Sequence, residues 1–329
     1  CKDSPHCSKG GLTSYCTISD LHTDEIGFAL VSKIIQNFGK VPYLVFNQLH
    51  RCKLDVNRVK AAAAQENPIA EEAWFAYHNF ISQAQSRVKE QYGTANGTNP
   101  LLGNDVEGVK GLLVDLHGYG GGTDWQREDG TIGSPPFIHW GYRIPATLLE
   151  ENCLSSPPKC TFSHASWLPN QDLDSLIRGK YSLGSRFYSL FKISKARTCK
   201  YDGAGLPSYE HPNPSSTLSS KNRHWREKKD RRYFSGGYTM IQHEYLEWEE
   251  RTGEFMMNTV QIELPKQLRI GDGTVKNRLC MHNDMAHALS ISLISFIHDV
   301  FNIPVDNDLL IENTMSISSC NDDASYSLL

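Results

Sequence analysis

The chain has 329 residues, of which 39% are hydrophobic and 21% are charged. This composition is typical of a folded protein with room for one large domain or two small ones. The formal net charge of -4 gives no overall attraction to nucleic acid, so we expect no nucleic-acid partner. No stretch of the sequence approaches the roughly 20 consecutive apolar residues that span a bilayer, so we expect no membrane span.

The first part of the chain predicts an alternation of helices and strands. The sequence TDEIGFALVSKIIQNFG (23–39) has apolar residues at helical spacing and ends at a glycine, which predicts an amphipathic helix. The apolar run VPYLVFNQL (41–49) predicts a strand. A second helix is predicted over 67–93, and a polar loop containing Asn96 follows it. The unbroken apolar run VKGLLVDL (109–116) then predicts a strand buried on both faces, as in a parallel sheet.

The second part of the chain predicts long loops between fewer elements. Residues 118–172 are rich in Gly, Pro and Ser and predict an irregular excursion, which a short helix (172–179) follows. A second long loop contains a basic insert, residues 217–232. The alternating sequence MMNTVQIEL (256–264) predicts a strand with one apolar and one polar face, and residues 276–301 predict a long closing helix. Helices alternating with buried strands indicate the α/β fold class.

The cysteine content indicates an oxidising environment. Nine cysteines are many for a cytosolic enzyme, and none forms a CxxC pair, so we expect mostly disulfides, with Cys153 and Cys160 pinning the first long loop. The glycosylation sequon at Asn96 agrees with a secreted, extracellular glycoprotein. Because the cysteine count is odd and the first residue is Cys1, we expect a processed chain to which an amino-terminal fragment is disulfide-linked.

Three groups of polar residues could carry chemistry. Asp115 and His117 end a buried strand, where the ligand crevice of an open parallel sheet lies; His117 is either a metal ligand or a core histidine bonded to Asp115. Arg51, Asn57 and Arg58 follow the predicted strand at 41–49 and suit a carboxylate or an oxyanion, although loop arginines are often only surface residues. Glu263 is an acid in an apolar strand, so it either has a compensating partner or faces solvent.

Five motifs then occur in order between about residue 17 and residue 300: HRCKLDVNR, LLVDLHG, PSYEHPNPSS, YFSGGYTMIQH and VQIELP. Together they resemble the motif string of the N-formylglutamate amidohydrolase family. The resemblance implies a three-layer α/β/α fold with a mostly parallel central sheet, similar to zinc carboxypeptidases and aspartoacylases. It also implies one zinc ion held by a histidine, an acid and a second histidine.

The resemblance assigns roles residue by residue. His117 matches the second histidine ligand, and Asp20 falls where the family's acidic ligand opens the first helix; the alternative for Asp20 is a helix N-cap. Glu263 matches the acid that acts on the attacking water, and Arg51 the group that polarises the scissile carbonyl. Asn57 and Arg58 match the clamp for the substrate carboxylate. His243 matches a family histidine that we place at the substrate; the alternative is a histidine that faces solvent.

One departure from the family concerns the first zinc ligand. The family carries it in an SPHGG-like turn after an amino-terminal strand, whereas this chain offers only SPHC, with His6. We expect the ligand upstream of Cys1, on His6, or missing. The implied domain plan is a Cys-rich segment (1–16), one hydrolase-like domain (17–304) with the basic insert 217–232, and a carboxyl-terminal tail (305–329).

The expected function is zinc-dependent hydrolysis of the amide bond of an N-acyl amino acid that resembles N-formylglutamate. In such a reaction Glu263 acts as the general base, and Arg51 stabilises the oxyanion. Two alternatives stay open. One is a secreted, disulfide-rich structural or binding protein with a degenerate hydrolase domain, and the other is a carboxypeptidase-like peptidase that acts on short peptides.

Overall fold

The computed structural model describes a large part of the chain. The described residues are 20–98, 105–119, 125–127, 132–133, 138–141, 176, 181–187, 190, 225–227, 237–244, 256–270, 274–306 and 308. The predicted Cys-rich segment 1–16, the Cys153–Cys160 loop and nearly all of the tail 305–329 lie outside these residues, and so does most of the short helix predicted over 172–179.

The protein is a mixed α/β structure with a small mixed sheet. The helices are α1 (Thr23–Phe38), α2 (Lys60–Ala64), α3 (Pro68–Tyr92), α4 (Tyr238–Glu244), α5 (Lys266–Ile270) and α6 (Val275–Phe301). The strands are β1 (Thr94–Thr98), β2 (Asp105–Tyr119), β3 (Trp125–Arg127), β4 (Ile132–Gly133), β5 (His139–Gly141), β6 (Trp225–Glu227) and β7 (Met256–Pro265). The three long helices α1, α3 and α6 confirm the helices predicted from apolar spacing.

Local chemistry explains where the long helices begin and end. The Asn67 side chain accepts hydrogen bonds from the backbone N–H groups of Ile69 and Ala70, which caps α3, and Pro68 occupies its first turn. Gly39, with φ 61°, ends α1 in the left-handed conformation that glycine adopts without steric cost. None of the helices in the described ranges is long and apolar enough to cross a membrane.

The main sheet has the strand order β1-β2-β7-β5. Strands β2 and β7 pair in parallel, as the buried run 109–116 predicted, while β1 and β5 join the sheet antiparallel. A second, three-stranded sheet has the order β4-β3-β6. Its strand β6, Trp225–Glu227, lies within the basic insert 217–232, which the sequence predicted to be loop.

The strand predicted over 41–49 is wrong. These residues form no strand, and several of their large apolar side chains are exposed, with Val41 at 76% and Tyr43 at 54%. Strand β1 pairs with β2, and within it Asn96 pairs with Glu107, so the polar loop predicted around Asn96 is also wrong. A strand requires a free neighbouring edge as well as apolar residues, and only the second condition is readable from the sequence.

The main hydrophobic core lies between helices α1 and α6 and one face of the two central strands. Helices α1 and α6 pack together, and their buried side chains join Val260, Ile262 and Leu264 of β7 in one cluster, with Leu112, Val114 and Leu116 of β2 packed against it. Alternate residues of both strands therefore point to the other face. On that face, Val88 of α3 packs closely over Gly111.

Two of the nine cysteines, Cys52 and Cys280, lie among the described residues, and each is disulfide-bonded. Cys52 follows Arg51 directly in the turn that connects segment 41–49 to α2. A covalent tie at this position restrains the loop that carries the predicted arginines.

Candidate functional site

The parallel strands bring the predicted acid and histidine side by side. In the register of β2 and β7, His117 pairs with Glu263, and Asp115 pairs with Gln261. All four residues lie on the face opposite Val260 and Ile262, because side chains alternate along a strand. Two segments 146 positions apart in sequence thus place their polar side chains at one end of the sheet.

His117 bridges two carboxylates. Its Nδ1 is 2.9 Å from Oδ2 of Asp20, and its Nε2 is 3.0 Å from Oδ1 of Asp115. Because carboxylate oxygens only accept hydrogen bonds, both ring nitrogens carry a proton in this arrangement. Burial lowers the pKa of His117, but the charge and hydrogen bond of Asp115, the hydrogen bond of Asp20 and the charge of Glu263 outweigh it and hold that pKa well above its ordinary value.

Asp20 lies in the candidate site and does not cap helix α1. Helix α1 has His22 at its N-cap position, without a capping side-chain hydrogen bond, whereas the Asp20 carboxylate contacts His117 and, at 3.9 Å from Oδ1, the Nη1 of Arg51. Burial would raise the pKa of Asp20, but its hydrogen bond to His117 and the charges of His117, Arg51 and Arg269 lower it. The carboxylate is therefore ionised at neutral pH.

Arg51 lies beside Asp20, while Arg58 lies farther out. A single acid, Asp55, links the two arginines: its Oδ2 is 3.0 Å from Nε of Arg51 and 3.9 Å from Nε of Arg58. Arg58 is the more exposed of the two and donates from Nη1 to the backbone oxygen of Asn57 at 2.8 Å. The sequence analysis missed Asp55, although it stands in the same HRCKLDVNR motif.

Glu263 is a carboxylic acid with an unusual pKa. Its Oε1 accepts a 2.9 Å hydrogen bond from Nε2 of Gln261, and its buried Oε2 has no hydrogen-bond partner within the described ranges. Burial is the largest cause that raises the pKa of Glu263; the charge of His117 opposes it, the charges of Asp20 and Asp115 add to it, and the net pKa is about 7. At neutral pH such a group can both accept and return a proton.

Asn57 holds the start of α4. Its Oδ1 accepts a 2.9 Å hydrogen bond from the backbone N–H of Thr239, and its carboxamide packs where a Cβ on Gly237 would otherwise stand. The N–H of Gly237 in turn donates to Oε1 of Gln261, the residue that contacts Glu263. Asn57 is thus connected to the site through α4 and Gln261.

His243 is buried, which excludes the alternative of a histidine that faces solvent. It is 3% exposed and stacks on His78 of α3, with 2.8 Å between its Nε2 and Nδ1 of His78. His78 Nε2 lies 3.2 Å from the backbone oxygen of Val56. Since that oxygen only accepts, His78 is protonated on Nε2 and accepts at Nδ1, so His243 donates from its own Nε2.

This chain of hydrogen bonds leaves Nδ1 of His243 unprotonated. The atom is buried and has no hydrogen bond within the described part of the chain. Burial, with a smaller contribution from the neighbouring His78, lowers the pKa of His243 to about 3, and burial lowers the pKa of His78 to about 4. Both rings are neutral at neutral pH, and sequence reasoning gave no indication of His78.

Arg269 is another site residue that the sequence did not reveal. It is 2% exposed and donates to the backbone oxygens of Leu264, Leu21 and Tyr119 at 3.1, 2.5 and 2.9 Å. The local sequence around Arg269 does not show whether this arginine is buried or is an exposed residue of a short helix. The one available signal is Gly118, because a Cβ there would overlap the Arg269 side chain.

Asp20 and His117 are the pair that the sequence predicted as metal ligands. The separation of 2.9 Å between Oδ2 and Nδ1 fits two ligands of one zinc ion, each roughly 2 Å from the metal. Asp115 holds the opposite ring nitrogen, as carboxylates commonly do for zinc-binding histidines. Within the described ranges, no group of three or more His, Cys, Asp or Glu side chains forms a complete metal site, and His6 lies outside those ranges.

No protein family, no curated protein and no solved structure matches the chain.

Proposed function

We propose that this chain is a metal-dependent hydrolase that cleaves the amide bond of an N-acyl amino acid, similar to N-formylglutamate. The observation that carries the proposal is the convergence of His117, Asp20, Arg51 and Glu263 on one end of the sheet. These residues come from four separate segments of the chain, and the charges of His117, Asp20 and Arg51 all act on Glu263 or on its neighbours.

We propose zinc as the cofactor, held by Nδ1 of His117, Oδ2 of Asp20 and a third ligand outside the described residues, either His6 or a histidine upstream of Cys1. When bound, zinc supplies Lewis acidity that makes water nucleophilic near neutral pH. Loading requires that His117 lose its Nδ1 proton, so protons and metal compete for this nitrogen. Asp115 keeps the Nε2 proton and fixes the ring orientation.

Glu263 is the proposed general base and acid. With a pKa of about 7, it takes one proton from the attacking water and returns it to the leaving nitrogen as the carbon–nitrogen bond breaks, so that the products are a carboxylic acid and a free amine. Gln261 holds one oxygen of Glu263 and leaves Oε2 for the water. The proposed base is therefore oriented before the substrate binds.

Arg51 and Arg58 are the proposed anchors of the substrate. Arg51 stands next to Asp20, where its guanidinium can stabilise the charge that develops on the carbonyl oxygen. Arg58 is more exposed and lies within reach of Asp55, as expected of a group that clamps a carboxylate entering from solvent. Asn57 orients this loop. His243 is the proposed further contact of the substrate, since its unprotonated Nδ1 is an acceptor that makes no hydrogen bond within the described residues.

We also infer finer features of the whole chain. The packing of α1 and α6 on one face of β7, and of α3 over the opposite face of β2, supports a three-layer α/β/α arrangement. A mostly parallel central sheet would need further parallel strands outside the described residues, because two of the three pairings described for the main sheet are antiparallel. The cysteine content supports secretion, disulfide-pinned loops and a disulfide-linked amino-terminal fragment. The sequon at Asn96 supports glycosylation.

The test is an assay of the full chain with stoichiometric zinc against N-formyl and N-acetyl amino acids and against short peptides. Release of the free amino acid, lost in Glu263→Gln and retained in Glu71→Gln, supports the amidohydrolase. Cleavage of peptides alone supports the carboxypeptidase-like alternative. Absence of both activities, in protein that is folded and loaded with zinc, contradicts the proposal.

One observation favours a second candidate, a secreted disulfide-rich binding protein with a degenerate hydrolase domain. Both ring nitrogens of His117 are already bound to carboxylates, an arrangement that is electrostatically satisfied without metal. Metal analysis of the native protein separates the two candidates. Zinc in a ratio near one to one supports the enzyme, and metal-free native protein that gains no activity on zinc addition supports the binding protein.

A further inference from the structure

Arg269 contacts the backbone next to three site residues. It lies on α5, which follows β7 without a break, and its guanidinium N–H groups donate to three carbonyl oxygens from three separate segments. Leu21 is adjacent to Asp20, Leu264 is adjacent to Glu263, and Tyr119 is two residues beyond His117. Each bond therefore fixes the backbone that carries one member of the site.

The environment of Arg269 is built to hold it in this place. Gly118 leaves room for the side chain, since a Cβ there would stand 2.7 Å from Cδ and would overlap the guanidinium. From the other side, Nε2 of His282 on α6 lies 2.7 Å from the Arg269 backbone oxygen. The arginine is thus fixed at both its backbone and its side chain.

The acceptors of this arginine are unusual for a buried charge. Its hydrogen bonds go to neutral carbonyl oxygens, and the charges of Asp20 and Glu263 act on it only from a distance, as part of the same electrostatic cluster. Among the described residues no carboxylate contacts Arg269 directly, and a buried cation in such surroundings is expensive compared with an apolar side chain of similar size. If Arg269 served only to attach α5 to the core, an apolar side chain would do so without the desolvation cost of a buried guanidinium.

We propose that Arg269 is a positioning residue that sets the mutual placement of Asp20, His117 and Glu263. It touches neither substrate nor metal and acts through three backbone segments. The assignment of the cluster as a hydrolytic site rests on the proposed function, whereas the positioning role rests on the three hydrogen bonds. The two can therefore fail separately.

The test compares Arg269→Met and Arg269→Lys with Arg186→Met in the full chain. Arg186 is the matched control because it is also largely buried and donates to a backbone oxygen, that of Tyr181, but it binds Ser295 and Asp299 on α6. Thermal unfolding sets a temperature at which every variant is folded. All further measurements are made below it.

The first measurement follows the ring N–H protons of His117 by NMR in metal-free protein, where both are hydrogen-bonded to carboxylates. We expect the Asp20 contact to be lost in Arg269→Met and kept in Arg186→Met. The second measurement is zinc affinity by competition with a chelator, where loss of an outer-shell support costs about 10–100-fold. Arg269→Lys keeps hydrogen-bond donors but lacks the planar guanidinium. Its zinc affinity and its His117 signals should therefore lie between those of the wild type and those of Arg269→Met.

Gly118→Ala provides an independent route, since it displaces the guanidinium without removing it. We expect its His117 ring signals to match those of Arg269→Met. We also expect the double variant Gly118→Ala, Arg269→Met to lose no more of the His117 signal than either single variant, because both changes act on one contact.

A third variant, Arg269→Ala, leaves space for added guanidinium ion. Millimolar guanidinium ion should partly restore the His117 signals of Arg269→Ala, with sodium chloride as the control. If Arg269→Met folds and keeps the wild-type His117 signals, or if Arg186→Met loses them equally, the proposal is wrong.

A wild type that binds no zinc and hydrolyses no amide contradicts the proposed function alone. The NMR comparison of Arg269 with Arg186 stays decisive in that case, because it needs neither metal nor substrate. Failure of the positioning role with activity intact would conversely leave the proposed hydrolase standing.

Discussion

His117 and Glu263 stand at directly paired positions of two adjacent parallel strands. This pairing gives each side chain the same direction and a fixed lateral distance, because neighbouring strands lie about 4.8 Å apart. The charge of the His117 imidazole therefore acts on the pKa of Glu263 independently of the conformation of the surrounding loops. The pairing is the reason that the protonation states of the two residues depend on each other.

The first prediction concerns zinc. His117→Ala and Asp20→Asn each remove one proposed ligand, so we expect zinc affinity to fall by at least about 100-fold while the helical content is unchanged. Isothermal titration of the metal-free full chain measures the affinity, and His298→Ala, on the far end of α6, is the control. Unchanged zinc binding in both site variants would rule out this pair as ligands.

The second prediction concerns pH and Glu263. The folded pKa of about 7 lies above the ordinary value of 4.5, so the folded state binds more protons than the unfolded state between these two values. Stability attributable to this group is thus present below about pH 4.5 and is lost as pH rises through 7. We expect Glu263→Gln to be more stable than wild type at pH 8, by on the order of 1–3 kcal/mol, and to show no gain at pH 4.5.

Denaturant unfolding at the two pH values measures this difference. Glu90→Gln, an exposed acid paired with Arg87 on α3, is the control and should show little change at either pH. A Glu263→Gln variant that is destabilised equally at both values would contradict the raised pKa.

The third prediction concerns the paired histidines. The backbone oxygen of Val56 fixes His78 as the Nε2–H tautomer, and His78 fixes His243 likewise. Nitrogen NMR of the side chains should therefore find a protonated Nε2 and a bare Nδ1 on both rings. Neither ring should titrate between pH 5 and pH 8, since burial lowers their pKa values to about 4 and about 3. Either ring titrating in that window would show that the stacked pair is more accessible than described.

The fourth prediction concerns the anchor of α4. Asn57→Ala leaves the buried N–H of Thr239 without its acceptor, so we expect a loss of about 1–3 kcal/mol in the free energy of unfolding. Asn57→Asp keeps an acceptor oxygen and should lose less. Hydrogen exchange of the Thr239 amide separates the two, with faster exchange in the alanine variant alone. Equal protection in both variants would mean that the bond contributes little.

Strong periodicity made much of the fold predictable. Long runs of apolar residues at helical spacing defined α1, α3 and α6, and the alternating run at 256–264 defined β7 with Glu263 on its polar face. The parallel pairing of β2 and β7 followed from a strand with apolar residues on both faces. The prediction failed at 41–49 and at Asn96, because strand formation depends on which sheet edge is free, and that is decided by the rest of the chain.

The sequence predicted a site residue only where a polar residue interrupts or ends an apolar segment. Asp115, His117, Arg51 and Glu263 are polar residues at the ends of apolar segments or within them, which makes them visible. His78 and Gln261 lie among residues that look like ordinary polar positions, and Arg269 looks like a surface cation. Their roles come from contacts between segments distant in sequence, which local patterns do not contain.

The position of Asp20 also connects the preceding part of the chain directly to the candidate site. Consecutive Cα atoms lie 3.8 Å apart, so the residue joined to Asp20 starts within one peptide unit of a carboxylate that binds His117. Cleavage, labelling or extension of the chain just before Asp20 should therefore be felt at His117. The junction before Asp20 is therefore a natural position for a spectroscopic reporter of the contact between Asp20 and His117.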